Sequence, residues 1–263
     1  MSTNPLLCEI DTDGTATVTL NRPEVHNAFD DDLIARMSTL FHELGRNDQV
    51  RVVLLTANGK SFSAGADLNW MRRMADYSEE ENYQDAMRLA DMLRTLNELP
   101  KPTLALVNGA AFGGGVGLAA CCDIVLAAPT VSFSLSEVKL GIVPAVISPY
   151  VVAAIGARAA RRYMLTAERF SAEEGQRIGL VSEIVPADVM RRRGNEIANL
   201  LIRNGPKALH ECKVLIRTVS GGPLDQAMIE DTARRIARIR ASAEGKEGLG
   251  AFLEKRQPLW ISK

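Results

Sequence analysis

Thr103-Leu104-Ala105-Leu106-Val107 runs through Asn108-Gly109-Ala110-Ala111 into Phe112-Gly113-Gly114-Gly115-Val116-Gly117-Leu118, and Ala119-Ala120-Cys121-Cys122-Asp123 follows. An apolar strand turns here through a glycine triplet straight into a helix. Glycine lets a ligand approach the backbone closely, and the first N–H groups of a helix have no partner within it. The helix dipole adds to the attraction of those donors for negative charge. No Lys-Ser/Thr follows the triplet and no G-x-G-x-x-G register fits, which argues against a phosphate-cradling loop or a dinucleotide fingerprint. A donor set aimed at a developing oxyanion fits these residues as well as a purely structural strand-to-helix turn does.

Strand-like and helix-like segments alternate on both sides of this unit. Residues 15–21 alternate Thr with apolar side chains and end at Arg22-Pro23. Asp30 can cap a helix whose apolar positions Leu33, Ile34, Met37, Leu40, Phe41 and Leu44 fall at helical spacing. Residues 50–56 are β-branched and continuously apolar, as in a sheet covered on both faces. Residues 78–99 read as a long helix stopped by Pro100 and Pro102. Strands are expected at 124–127 and 131–135. After Pro144, helices are expected over 147–155, 157–165 and 171–178, with one strand-like return at 181–185. From Pro186 the chain is almost wholly helix-like. The pattern predicts an α/β core over residues 1–190 and an α-helical region over 191–263.

Composition narrows the function classes. The chain has 263 residues, 46% of them hydrophobic and 24% charged, with a net charge of −1. No global field recruits nucleic acid or an acidic membrane surface. Cys8, Cys121, Cys122 and Cys212 form no C-x-x-C pair, and the adjacent pair reads as small buried side chains. His26, His42 and His210 lack metal-ligand spacing, so no metal site is expected. No signal peptide and no apolar run of membrane-spanning length is read, and a cytoplasmic enzyme is expected.

A second small-residue turn, Gly59-Lys60-Ser61-Phe62-Ser63-Ala64-Gly65-Ala66-Asp67-Leu68, follows the strand at 50–56. Ligands of open α/β sheets bind beyond the carboxyl ends of the strands, so two such turns could each offer one N–H to a single carbonyl oxygen. A general acid/base must lie nearby, and Glu137, between apolar residues just after a strand, is the candidate. Partial burial there would raise its pKa. The spacing Ser134-x-x-Glu137 also fits a helix capping box, a purely structural alternative.

Several stretches together resemble the crotonase (enoyl-CoA hydratase/isomerase) family. They are Ser63-Ala64-Gly65-Ala66-Asp67-Leu68, Asn108-Gly109-Ala110-Ala111-Phe112-Gly113-Gly114-Gly115, Cys122-Asp123-Ile124, and Ser136-Glu137-Val138-Lys139-Leu140-Gly141-Ile142-Val143-Pro144. Thr166-Ala167-Glu168-Arg169, Gly179-Leu180-Val181 and Gly248-Leu249-Gly250-Ala251-Phe252-Leu253-Glu254-Lys255-Arg256 extend the likeness over essentially the whole chain. The resemblance implies a spiral of β-β-α turns, with C-terminal helices that build a homotrimer or a dimer of trimers. It implies an acyl-coenzyme A thioester as ligand; coenzyme A enters with the substrate and no separate cofactor is needed. By resemblance the oxyanion hole maps onto the N–H groups of Ala66 and Gly114. Ala64, Gly65, Asp67, Leu68, Gly113 and Gly117 would line the CoA and acyl site, with Ala64 to Asp67 at the adenine. Phe252 and Lys255 would contact CoA from a neighbouring subunit.

Family hydratases commonly carry two glutamates. Glu137 matches the second, whereas Gly117 stands at the first and cannot transfer a proton. The stretch from Leu135 to Tyr150, with Ala66-Asp67-Leu68-Asn69-Trp70-Met71 and Cys121-Cys122-Asp123, is similar to bacterial members assigned to 3-methylglutaconyl-CoA or γ-carboxygeranoyl-CoA hydration. The expected activity is addition of water to a branched or carboxylated 2-enoyl-CoA. The alternatives are an enoyl-CoA Δ3,Δ2-isomerase working with Glu137 alone and, more remotely, a non-catalytic acyl-CoA- or RNA-binding member. Gly117 is expected to enlarge the pocket and remove a negative charge, with Arg72, Arg73 or Lys139 free to pair with a substrate carboxylate.

Overall fold

The computed structural model describes residues 4–261. Strand β1 (Leu6–Ile10) pairs antiparallel with β2 (Thr15–Leu20). Helix α1 (Asp31–Arg46) starts at Asp30, whose carboxylate accepts the Leu33 N–H at 2.8 Å, and leads to β3 (Val52–Ala57), parallel to β2.

From β3 onward one unit repeats: a main-sheet strand, a short strand of a second sheet, then helix. β3 passes to β4 (Ser61–Ser63), then α2 (Leu68–Met74) and α3 (Glu79–Asn97). Helix α3 opens on the Ser78/Glu81 capping box. β5 (Thr103–Val107) passes to β6 (Ala110–Phe112) and α4 (Gly114–Cys121). β7 (Ile124–Ala127) passes to β8 (Ser132–Ser134), a 3-10 turn at Glu137–Leu140, and α5 (Ser148–Thr166). Gly156 (φ 72°) kinks α5, which accounts for the two helices read on either side of it. Then come β9 (Phe170–Ser171), α6 (Ala172–Arg177), β10 (Glu183–Ile184), α7 (Ala187–Ile202), α8 (Pro206–Ser220), α9 (Gln226–Ala241) and α10 (Ala243–Leu253).

The main sheet runs β1-β2-β3-β5-β7-β10, parallel from β2 onward; the second runs β4-β6-β8-β9, with only β9 antiparallel. This is the spiral of β-β-α turns. Alternation along β3 explains its apolar run: Val53 and Leu55 enter the main core, while Val52 and Leu54 pack with Ala198 of α7 on the other face. Helix α7 runs through the 190/191 position and lies on β3, β5 and β7, so the helical region is seated on the sheet from its first turn. Helices α8 and α9 bury no residue completely and leave Ile216, Ile229 and Ile236 about half exposed. No helix among the described residues is long and apolar enough to cross a membrane. Cys121 and Cys122 are buried, and burial pushes the Cys122 thiol up to about 12.

Candidate active site

Three parallel neighbours of the second sheet each release the chain at the same end, and each carries one named residue. After β4 comes Ala66, after β6 comes Gly114, and after β8 comes Glu137. The sequence places these turns after 50–56 and 103–107; the structure inserts β4 and β6 in between, so the site sits at the carboxyl end of the second sheet.

Ala66 is held by a parallel bridge to Phe29. Phe29 N–H donates to the Gly65 carbonyl at 2.7 Å, and Asp67 N–H donates to the Phe29 carbonyl at 2.7 Å. In a parallel bridge of this kind the enclosed residue turns its own N–H the other way. Ala66 N–H accordingly finds no acceptor among the described residues. Gly114, the first residue of α4, has no acceptor for its N–H there either, as helix geometry requires.

Two glycines make this close approach possible. Gly113 takes φ 51°, ψ −117° to enter α4, and Gly65 takes φ 88°. A β-carbon on Gly65 would lie 3.1 Å from the Phe112 carbonyl oxygen, and one on Gly115 would lie 2.5 Å from the Ser63 oxygen. The two turns are thus packed backbone to backbone.

Glu137 is half-buried and begins its 3-10 turn. A β-carbon on Gly113 would stand 3.0 Å from Glu137 Oε1, so the carboxylate lies over the glycine turn. Its Oε2 is buried and has no hydrogen-bond partner among the described residues. Burial raises its pKa above the usual carboxylate value, outweighing a backbone hydrogen bond that lowers it. The capping box read at Ser134 does not form: Ser134 lies in β8, and its hydroxyl donates to the Ala167 carbonyl.

Several expectations need correction. Asp67 spends its side chain on the fold, accepting the N–H groups of Asn69 and Trp70 and pairing with Arg22 at 3.2 Å. Gly117 does not open space, because buried Ile147 packs where its side chain would be. Arg73 pairs with Asp31 at 2.6 Å and Arg72 donates to Asn69, so neither is a free cation; Lys139 is exposed. Ala64 donates its N–H to the His26 carbonyl, and Leu68 stays largely exposed beside the turn. Phe252 and Lys255 lie at the end of α10, which packs on α8 and α9; the single chain does not bring them to the glycine turn.

Sequence reasoning missed the residues that hold the site together. Arg22 pairs with Asp30 at 2.8 Å and with Asp67, and donates to the Ala28 carbonyl, fastening the loop of Phe29 to the loop of Ala66. Buried Asn27 bonds the Arg22 N–H and the carbonyls of Asn58 and Ser61. The Arg22-Pro23 break at the end of β2 was the only local signal.

Comparison with known proteins agrees with this geometry. The sequence profile described as Enoyl-CoA hydratase/isomerase matches residues 11–263. The chain is 31% identical over 243 residues to the 2,3-dehydroadipyl-CoA hydratase of Escherichia coli, covering 92% of each protein. It is 33% identical over 244 residues to the short-chain-enoyl-CoA hydratase of Clostridium acetobutylicum, again covering 92% of each. The crystal structure of an enoyl-CoA hydratase from Shewanella pealeana superposes with a TM-score of 0.95 at 47% identity, covering 98% of this chain and 96% of that one. The chain belongs to the enoyl-CoA hydratase/isomerase, or crotonase, family of enzymes.

Proposed function

We propose that the protein adds water across the 2,3 double bond of an enoyl-CoA thioester, using one carboxylate. The N–H groups of Ala66 and Gly114 polarise the thioester carbonyl and hold the enolate that forms when oxygen adds at the β-carbon. Each such donor is worth about 3 kcal/mol of transition-state stabilisation. Glu137 takes a proton from water and returns one to the α-carbon, so the carboxylate is regenerated and no redox or metal chemistry is drawn upon. The carrying observation is the juxtaposition of two partnerless backbone donors with a carboxylate whose Oε2 is buried and unbonded.

We further propose a branched or carboxylated acyl group, such as 3-methylglutaconyl-CoA. Two things support it: the similar Escherichia coli protein is named for a dehydroadipyl thioester, which carries a second carboxylate, and Gly117 adds no negative charge beside Glu137. Exposed Lys139, in the Glu137 turn, is the cation available to that group. The half-exposed apolar positions of α8 and α9 support a trimer in which Phe252 and Lys255 reach the CoA of a neighbour. A comparison of kcat/KM for 3-methylglutaconyl-CoA and crotonyl-CoA tests the acyl assignment; equal or better turnover of crotonyl-CoA would sink it.

A further inference from the structure

Gly117 follows Gly113 by one helical turn, so the two glycines present neighbouring stretches of one face of α4. At Gly113 that face meets the Glu137 carboxylate; at Gly117 it meets Ile147. Ile147 is buried directly before α5, and α5 packs on both α4 and the Glu137 turn. A β-carbon on Gly117 would lie 2.9 Å from Ile147 Cβ, with Cγ2 closer still, whereas Ile147 Cα is 3.9 Å away. Trimming Ile147 to alanine therefore leaves the Cβ clash in place. Only glycine at 147 restores ordinary van der Waals distance to a side chain at 117.

We propose that positions 117 and 147 exclude one another's side chains, and that Ile147 is a specificity-determining residue of this site. Its side chain closes the space beside Glu137 to a second carboxylate and to bulk at the reacting end of the acyl group. Any carboxylate at position 117 would stand on the helix face that already meets Glu137, so the pair decides whether one or two acidic groups face the substrate. This rests on the reading of Glu137 as the proton-transfer group.

The test is a cycle of four proteins: wild type, Gly117→Glu, Ile147→Gly, and both together. Gly117→Glu alone is expected to lower Tm by about 5 °C or more, since overpacking a filled site forces backbone shifts. In the Ile147→Gly protein the same substitution should cost less than half as much; equal losses in both would overturn the exclusion. Should Ile147→Gly not fold, Ile147→Ala takes its place, and a Gly117→Glu tolerated beside it would contradict the geometry. For specificity, Ile147→Gly should raise kcat/KM for cinnamoyl-CoA relative to crotonyl-CoA by about tenfold, the scale of a few pocket carbons. An unchanged ratio would reduce Ile147 to a packing residue and overturn the proposal. Glu137→Gln, assayed alongside, separates the two ideas: wild-type turnover there defeats the proton-transfer reading, while the Tm cycle still reports on the pair.

Discussion

The ring of Phe29 occupies the space in which Gly114 would carry a side chain: a β-carbon there would stand 2.5 Å from Phe29 Cε2. The same residue's backbone brackets Ala66 by its bonds to Gly65 and Asp67. One residue between β2 and α1 thus sets both donor turns. Gly114→Ala should force the ring aside at a cost of about 1–3 kcal/mol. If the Gly114 donor is displaced, kcat should fall by about 10²-fold or more. Steady-state kinetics with crotonyl-CoA and a thermal melt check both, and Phe29→Ala in the same background should recover stability but not activity.

Glu137→Gln should lower kcat by about 10²–10⁴-fold, the usual worth of a positioned acid/base. Its effect on stability should have the opposite sign. Burial raises the folded-state pKa of Glu137 above the unfolded value, so ionisation costs the native protein stability as pH rises through that window. Below the unfolded value the carboxyl is protonated in both states and the cost vanishes. The Gln variant should therefore melt above the wild type at neutral pH, with the gap closing toward acid. Because deprotonated Glu137 is the form that activates water, kcat/KM should decline on the acid side at a pH above that of an ordinary glutamate.

Arg22 joins Asp30 and Asp67, whose side chains are 23% and 8% exposed. Arg22→Ala leaves the nearly buried Asp67 without its cation and should cost about 2–3 kcal/mol, somewhat less than a fully buried broken pair. Loosening the loop of Phe29 should also raise KM for the thioester. Arg22→Lys should rescue little, because a point charge cannot reach both carboxylates and the Ala28 carbonyl together. Thermal melts and KM values for the two variants decide this.

Ile229 and Ile236 lie on α9, 51% and 48% exposed in the single chain. If α8 and α9 close a trimer, Ile229→Glu with Ile236→Glu should shift sedimentation toward single chains and raise KM through loss of the neighbour's Phe252 and Lys255. A wild-type protein that sediments as one chain would remove the basis for that arrangement.

Long elements were legible in the sequence because their signals repeat. The β-branched run of β3, the apolar spacing of α1 and the capping box of α3 each name their element. β4 and β6 were not legible, since three residues give alternation no room to appear, and β1 was passed over for its Cys8-Glu9 interruption. Ala66, Gly114 and Glu137 were found as separate turns; that consecutive parallel strands deliver them to one edge is a property of the second sheet. Ile147 and Arg22 act through partners 30 and 45 residues away in sequence, Gly117 and Asp67, and no local pattern marks such pairs.

Mass spectrometry of 3-methylglutaconyl-CoA after incubation with wild type and with Glu137→Gln tests hydration by a single carboxylate most directly. The account predicts that the wild type converts the thioester to a product heavier by one water and that the variant leaves it essentially unchanged. Equal hydration by both proteins, or a rearranged product of unchanged mass, would contradict it.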